Sequence, residues 1–201
     1  KVTTTALQSA IDALKADLEG QITTINGRLD ALEAKDTELE GKLTTLEGKV
    51  ANIENRIQAI KWVPAFTDGN LTLNATKDVG GTTYADAKIE EQLYITCNDA
   101  DIINKIVAGS DYTVEAVFNR VAASRAIEAS PFGAVTVEAV PGVDNVLKIT
   151  LAYTDLAALF GTYGGEVAPK LTDMQIAIKI SNTTTGDMIM SEFAGVMIKN
   201  N

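Results

Sequence analysis

The side chains that most often perform catalysis or bind metal ions are nearly absent from this chain of 201 residues. It contains no histidine, the residue most used for proton transfer near neutral pH and the commonest metal ligand. Its one cysteine, Cys97, cannot form an intrachain disulfide or a thiolate metal cluster. The apolar run Leu93-Tyr94-Ile95-Thr96-Cys97 predicts that this thiol is a small buried side chain.

Two acidic pairs are the next candidates for chemistry. Glu90 and Glu91 are adjacent, so a strand would place them on opposite faces, where they cannot act together. Asp99 and Asp101 lack the glycine and the later glutamate of a calcium-binding loop. We interpret these two aspartates as charges at the start of a helix.

The glycine doublets Gly80-Gly81 and Gly164-Gly165 are predicted to lie in loops. They lack the strand–loop–helix context and the lysine of a phosphate-binding loop. Without histidine, a serine nucleophile would need a lysine as its base, and no motif places one. The sequence therefore predicts a protein that is not an enzyme, with no catalytic, cofactor-binding or metal-binding residues.

The dominant pattern is apolar and occupies the first third of the chain. An apolar residue recurs every three or four positions, which is the heptad seam of a coiled coil, and such a seam is buried only against other helices. With Ile22 at heptad position a, the predicted oligomer interface alternates between positions a and d: Ile22, Ile25, Leu29, Leu32, Asp36, Leu39, Leu43, Leu46, Val50, Ile53, Ile57 and Ile60. The spacing extends upstream to Leu7 across one four-residue insertion, so a helix is expected over residues 7–61.

Charged residues flank this seam at positions g and e. In a parallel bundle, each g residue lies beside the e residue five positions later in a neighbouring chain. The predicted interchain ion pairs are Arg28–Glu33, Lys35–Glu40, Lys42–Glu47 and Lys49–Glu54. Antiparallel helices would bring like charges together, so the pattern favours a parallel arrangement.

The residues at position d indicate how many helices associate. Isoleucine at d favours three or more strands, and Ile25, Ile53 and Ile60 are all at d. The segment from Arg28 to Glu33 also resembles a trimerisation motif of short coiled coils, with arginine, two apolar residues and glutamate at the same spacing. We therefore expect a parallel homotrimer, with a dimer as the alternative. The carboxylate of Asp36 within the seam is interpreted as a register-setting residue, with an ion site as a less favoured alternative.

The composition changes at Trp62-Val63-Pro64. Every aromatic residue lies at or after Trp62, and Pro64 disfavours helix at Val63. The predicted domains are therefore a coiled-coil oligomerisation stalk at residues 1–61 and a β-sandwich head at residues 62–201. Asp68-Gly69 predicts a tight turn at the start of the head.

Within the head, alternating apolar residues predict a series of half-buried strands. The predicted strands are residues 70–74, 89–96, 112–121, 134–140, 146–153, 174–180 and 188–198. Short helices are predicted over residues 99–107, capped by Asn98 or Asp99, and over residues 155–160. This number and spacing of strands favours an antiparallel Ig-like β-sandwich.

The charge of the chain limits its partners. The net charge is −10, and residues 62–201 hold 9 Lys/Arg against 17 Asp/Glu, a net of −8. Such a head repels phosphate backbones and anionic lipid, so we expect no binding to nucleic acid or to a membrane surface. No apolar stretch approaches the length of a membrane span. The chain starts at Lys1 without a signal peptide, so we expect a trimmed chain whose targeting information lies upstream.

The junction between the two predicted domains resembles that of a known group of proteins. Residues 55–69 (NRIQAIKWVPAFTDG) are similar to a heptad end followed by a Val-Pro-aromatic-x-Asp-Gly turn in uncharacterised surface lipoproteins of gut Bacteroidetes. The strand VDNVLKITL and the turn DLAALF follow in a similar order. Ala59 stands where these proteins usually have serine, and Phe66 is the usual aromatic residue.

The resemblance implies an outer-membrane lipoprotein with an N-terminal stalk and a β head. It carries over no site residues, because no function is assigned to the group. The lipid anchor it implies would require a cysteine upstream of this chain.

Two functions fit these patterns. The first is a non-enzymatic cell-surface structural or binding protein, in which a trimeric stalk presents heads to a glycan or a protein with the avidity of three copies. The alternative is a secreted or phage-type trimeric fibre or adhesin without a lipid anchor. Trp62, Tyr84 and Tyr163 would stack on sugars if they are exposed, and would belong to the core if they are buried.

Overall fold

The computed structural model describes residues 3–63, 69–77, 80, 83–121, 129–163 and 169–200. The chain divides into two compact units, Lys1–Glu54 and Asn55–Asn201. The first unit is a long helix and the second is rich in β-structure, as the sequence predicted. Several predicted features lie outside the described residues, namely those at Pro64, Phe66, Asp68, Gly81, Gly164 and Gly165.

Helix α1 spans Thr4–Glu54, a length of 51 residues. At 1.5 Å per residue its axis is about 77 Å long. The Thr3 hydroxyl accepts a hydrogen bond from the Ala6 backbone N–H at 3.3 Å, which satisfies one of the free donors at the start of the helix. None of its side chains is buried within the single chain.

The helix ends seven residues earlier than the heptad pattern predicted. Beyond Glu54 the backbone pairs with the head: the Gln58 N–H donates to the Thr96 carbonyl at 2.8 Å, and strand β1 covers Ala59–Trp62. The predicted interface residues Ile57 and Ile60 are therefore not on α1. Ile60 is 5% exposed in the core of the head, and Ile57 packs against that core. Strand pairing has overridden the local helical periodicity here. The helical stalk therefore ends at residue 54 and not at residue 61.

The second unit contains nine strands and two short helices in the described part of the chain. Helix α2 covers Ile102–Ala108 and helix α3 covers Leu156–Tyr163. After β1, the strands are β2 Asn70–Lys77, β3 Tyr84–Thr96, β4 Tyr112–Arg120, β5 Thr136–Ala139, β6 Val146–Ala152, β7 Lys170–Asn182, β8 Met188–Met190 and β9 Ala194–Asn200. Each of the seven predicted runs contains a strand, and the last run is divided into β8 and β9. Strand β1 was not predicted.

Hydrogen bonds connect all nine strands into one sheet. Its order is β4-β7-β9-β2-β3-β6-β5, with β1 paired to β3 and β8 paired to β7. The described pairs are antiparallel except for β2 and β9, which run parallel over residues 70–75 and 195–200. The prediction of a wholly antiparallel sheet is therefore wrong at this pair, and the Ig-like two-sheet sandwich is not confirmed.

The two longest strands each change partner along one edge. Strand β3 pairs with β2 through residues 84–89 and with β1 through residues 93–96. Strand β7 pairs with β9 through residues 170–176 and with β8 through residues 179–181. Strands β1 and β8 contact each other. The sheet is thus continuous where β3 pairs with β2 and β7 pairs with β9. It separates into two branches where β3 pairs with β1 and β7 pairs with β8.

The sheet is curved, because one short helix reaches both of its terminal strands. Helix α2 contacts both β4 and β5, which are the two terminal strands of the sheet order. Seven flat strands spaced about 4.8 Å apart would separate these two by about 29 Å. A seven-residue helix spans only about 10 Å, so the sheet must curve for α2 to reach both strands.

Candidate functional site

The apolar residues of α1 form an exposed stripe along one side of the helix. Ten of the twelve predicted interface residues lie on α1, and the nine apolar members among them are 44–63% exposed: Ile22, Ile25, Leu29, Leu32, Leu39, Leu43, Leu46, Val50 and Ile53. Leu7, Ile11, Leu14 and Leu18 extend the exposed series upstream. Residues three and four apart lie on the same side of a helix. We call this stripe, from Leu7 to Ile53, the seam.

One carboxylate interrupts the seam. Asp36 is exposed in the single chain, and it lies between the turn that carries Leu32 and the turn that carries Leu39. A parallel copy of the helix packed in register on the seam would bring its own Asp36 to the same level.

The eight residues predicted to form interchain ion pairs all lie on α1, beside the seam. They are Arg28, Glu33, Lys35, Glu40, Lys42, Glu47, Lys49 and Glu54, and all are exposed. Within the single chain, Lys42 already contacts Glu38 at 2.5 Å, and both side chains are more than 60% exposed. Such an exposed pair holds its partners weakly, so Lys42 stays accessible to a neighbouring chain. The interchain pairs themselves remain a prediction.

The two adjacent glutamates of β3 lie on opposite faces, as predicted. Glu90 faces outward, where its carboxylate lies 3.5 Å from Lys88 Nζ and 3.3 Å from Lys148 Nζ. Lys148 also lies 3.5 Å from the Glu138 carboxylate on β5. This exposed network of ion pairs across β3, β6 and β5 adds little stability. Its carboxylates are paired with lysines and do not converge on a common point where a ligand could bind.

Glu91 is the one acidic side chain in the described residues that points into the core. It is 8% exposed and belongs to the same face of β3 as the buried Ile89 and Leu93. Burial raises the pKa of its carboxyl group, and a hydrogen bond from the Thr72 backbone N–H acts in the opposite direction. Glu91 lies between the part of β3 that pairs with β2 and the part that pairs with β1, so its carboxylate serves a backbone donor where the ladder is interrupted.

A second polar cluster ties β4, β7 and α3 together. Arg120 Nη1 lies 2.9 Å from both the Asp173 Oδ1 atom and the Tyr163 hydroxyl, and that hydroxyl donates to Asp173. Burial and the hydrogen bond to Asp173 raise the pKa of Tyr163 to about 12. Burial alone would raise the pKa of Asp173, but the bonds from Tyr163 and Arg120 outweigh it and lower that pKa. Each member of the cluster contacts the other two, which indicates a structural clamp.

The aromatic residues considered for sugar stacking are held by packing. Tyr163 is 9% exposed. Tyr84 is partly buried and stacks on Phe160 with ring centroids 3.4 Å apart. Trp62 is partly buried and its Nε1 donates to the Glu192 carbonyl at 2.9 Å. The structure therefore favours the core interpretation over sugar stacking for these three residues.

The remaining candidates have local structural roles. Asp99 accepts from the Asp101 N–H at 3.0 Å and from Lys105 Nζ at 2.6 Å, which lowers the pKa of Asp99. Both aspartates thus lie at the start of α2, as predicted, although the N-cap is Asp101 and not Asn98 or Asp99. The Cys97 thiol is partly buried and donates to the Asn55 carbonyl at 2.9 Å.

The described residues contain no group of three or more Cys, Asp or Glu side chains placed to hold a metal ion. None of the described helices is long and apolar enough to cross a membrane.

Replacing Glu91 by glutamine should change how the stability of the head depends on pH. The folded-state pKa is raised above the ordinary value of 4.5, so the folded state binds this proton more tightly than the unfolded chain. The wild type should therefore lose stability as pH rises from about 4.5 through the raised pKa, and Glu91→Gln should not. Urea unfolding at several pH values, followed by the fluorescence of the single tryptophan Trp62, measures the difference.

The matched control for this change is Glu90→Gln, on the opposite face of the same strand. Glu90 is exposed and its pairs with Lys88 and Lys148 are solvated. As pH rises, the free energy of unfolding of Glu91→Gln should increase relative to that of the wild type. The free energy of unfolding of Glu90→Gln should keep a constant difference from the wild type. Parallel pH profiles for the two variants would contradict the buried placement of Glu91.

Comparison with known proteins leaves the family of this chain open. No known protein family and no curated protein matches the sequence. Among solved structures, the CooA pilin subunit from enterotoxigenic Escherichia coli is similar, with 12% sequence identity and a TM-score of 0.29. The alignment covers 72% of this chain and 99% of that chain. At these values the similarity does not establish a shared fold or a shared function.

Proposed function

We propose that this protein is a non-enzymatic structural or binding protein of the cell surface, in which α1 forms a parallel homotrimeric coiled coil that carries three β heads. The seam is the observation that supports this proposal. It extends over most of a 51-residue helix that buries none of its side chains within the chain. A contiguous exposed apolar surface of this kind marks an interaction site.

The helix itself needs a partner for energetic reasons. Gly20, Gly27, Gly41 and Gly48 lie within α1, and a Cβ at any of them would meet no atom within 4 Å. Each glycine therefore costs about 1 kcal/mol of helix propensity relative to alanine without a compensating contact. Burying one leucine or isoleucine side chain of the seam against another helix offsets this by about 1.5–3 kcal/mol.

Charge complementarity favours a second copy of this chain as the partner. The g positions carry Arg28, Lys35, Lys42 and Lys49, and the e positions five residues later carry only glutamate. Parallel copies in register would thus face each other with opposite charges from residue 28 to residue 54. An unrelated helix would need the complementary series on its own surface.

The trimer is supported by the residues at position d. Ile25 and Ile53 remain at d on α1, although Ile60 belongs to the head. The Arg28–Glu33 segment with the trimerisation spacing also lies within the helix. A dimer is the alternative state.

The location and the ligand are further parts of the proposal. We infer an outer-membrane lipoprotein from the resemblance of residues 55–69 to surface lipoproteins, and a glycan or a protein as the ligand of the heads. A secreted or phage-type fibre has the same architecture, and a lipidated cysteine encoded upstream distinguishes the two. Tyr94 and Phe193, which are 43% and 41% exposed, are the most exposed aromatic side chains of the described head.

Placing two carboxylates in the seam should dissociate the oligomer. In the double variant Leu39→Asp, Leu46→Asp, each new charge would have to be buried in the bundle, which costs far more than an oligomer of this size gains from those sites. Light scattering should give three times the chain mass of 21.3 kDa for the wild type and 21.3 kDa for the variant. The head should stay folded, because its core contains neither residue.

The control is Thr37→Asp, Thr44→Asp, which adds the same two charges at the same spacing on the outward side of α1. Its mass should equal that of the wild type. A monomeric wild type at micromolar concentration, or equal effects of the two double variants, would contradict the seam as an interface.

Asp36 should limit the stability of the oligomer. Replacing it with isoleucine removes three facing carboxylates and continues the apolar series, so the thermal midpoint of helix unfolding should rise. Circular dichroism at the helical band measures it. Asp30→Ile, on the outward side, is the matched control and should leave the midpoint nearly unchanged. A midpoint that falls in Asp36→Ile would show that Asp36 does not lie in the interior of a bundle.

Binding by the heads should depend on the number of copies. On a glycan array, the intact oligomer should give signals that the dissociated Leu39→Asp, Leu46→Asp variant loses, since avidity requires linked heads. Equal signals for the two proteins would show that presentation as an oligomer is not needed for binding. If neither protein gives a signal, a protein becomes the favoured ligand.

A further inference from the structure

Helix α1 contains the one Asn-Gly pair of the sequence, at Asn26 and Gly27. Asn26 is exposed, and a Cβ at residue 27 would meet no atom within 4 Å, so packing within the chain gives no reason for a glycine at this position. Asparagine is chemically labile, and most so before glycine, because glycine has no side chain to shield its backbone nitrogen. The pair is therefore a candidate site of covalent modification.

The reaction open to this pair is deamidation. The backbone nitrogen of Gly27 attacks the side-chain carbonyl carbon of Asn26, a C–N bond forms, and the side-chain nitrogen leaves as ammonia. The attacking nitrogen loses its proton to solvent and the leaving group takes one up. Water then opens the cyclic succinimide at either carbonyl. The products are aspartate and isoaspartate, and in isoaspartate the main chain passes through the former side chain.

The helical conformation opposes this reaction. The Gly27 N–H lies within α1, where each N–H is directed to the carbonyl four residues earlier. Helical side chains point towards the N-terminus, so the Asn26 carboxamide is turned away from the nitrogen of the next residue. The hydrogen bond must break and the backbone must rotate before the ring can close, so Asn26 reacts only when α1 opens at this turn.

How often this turn opens depends on whether the seam is covered. Gly20 and Gly27 are one heptad apart, and each lowers the local helix propensity without a contact in return. The nearest seam residues, Ile22 and Ile25, are 56% and 60% exposed in the single chain. Burying them against other helices shifts the local equilibrium towards the helix, whereas the helix of a free chain opens more often.

We propose that Asn26 is a deamidation site that assembly of the helices protects, so that chains left unassembled are modified and cannot later join an oligomer. This inference rests on the proposed coiled coil. Isoaspartate adds one carbon to the main chain, which puts the hydrogen bonds of the helix out of register on its two sides. The loss of ammonia makes the change one-way, so the site removes aged single chains from assembly.

Peptide mapping of aged protein tests the site. Wild type and Leu39→Asp, Leu46→Asp are incubated at mildly alkaline pH, with wild type in urea as the reference for an open chain. Trypsin then releases residues 16–28, which contain Asn26 as their only asparagine, and mass spectrometry measures the fraction converted to acid. The dissociated variant should react at least about tenfold faster than the wild type, since burying one isoleucine of the seam shifts helix opening by that factor.

Two alanine variants in the dissociated background separate the reactive pair from helix propensity. Gly27→Ala shields the attacking nitrogen and should reduce the rate at Asn26 to that of the assembled wild type. Gly48→Ala gives the same gain in propensity elsewhere on the helix and keeps the Asn-Gly pair, so it should retain most of the reaction. Asn52 is followed by isoleucine and is the internal reference that should stay unmodified throughout.

The products should separate with the oligomeric state. Wild type is aged in urea, refolded and divided by size exclusion, and isoaspartate is detected by enzymatic methylation. The modified chains should elute as monomers and the unmodified chains as oligomers. Isoaspartate at equal levels in both fractions, or equal rates for wild type and the dissociated variant, overturns this inference and leaves the coiled coil intact. A monomeric mass for fresh wild type overturns the coiled coil itself, and this inference with it.

Discussion

The stability of a 51-residue helix with no buried side chain depends on what covers its apolar side. Four glycines weaken α1, and no contact within its own unit compensates for them. The hydrophobic effect supplies the missing stability only if Leu7 to Ile53 leave water together. In the proposed oligomer, the number of chains, their direction and the spacing of the heads would all depend on this requirement. In this view the glycines make the helix conditional on assembly, because a free chain gains too little from local hydrogen bonds.

The second unit is stabilised in a different way. Its core combines strands from both ends of its sequence, and two of its buried polar groups, Glu91 and Tyr163, have specific partners. The Tyr163, Asp173 and Arg120 side chains join three elements, and Glu91 accepts a hydrogen bond where β3 changes partner. A buried carboxylate in that position costs stability at neutral pH, yet it serves a backbone donor that the interrupted ladder leaves free.

The sequence predicted the elements better than their arrangement. The heptad spacing identified α1, and alternation identified seven runs that contain strands, because both patterns report which side of an element is apolar. Ile57 and Ile60 were placed wrongly because a four-residue strand is too short to show its own period against a long helical one. The parallel pairing of β2 and β9 leaves no local signal. Glu91 was recognisable in principle, because apolar residues two positions away on each side mark a core face.

The candidate site was predictable to a similar extent. The seam and its charged flanks could be read from residue spacing, since helix geometry relates spacing directly to position. The exposure of Met188 and Met190 could not, because these residues alternate with Ile189 in a way that also fits a buried strand. Only the pairing of β8 with β7 and its contact with β1 show which side of that strand faces outward.

The parallel pair of β2 and β9 has a consequence for how the protein is made. Strand β9 covers Ala194–Asn200 and is the last of the described strands in chain order, yet it lies inside the sheet between β7 and β2. The centre of the head therefore cannot be completed until residues 194–200 have left the ribosome. Such distant pairing has a high contact order and folds slowly, whereas all the residues of α1 are synthesised before those of the head. During synthesis the helix should be ready to associate before any head can close, so assembly would precede completion of the part it carries.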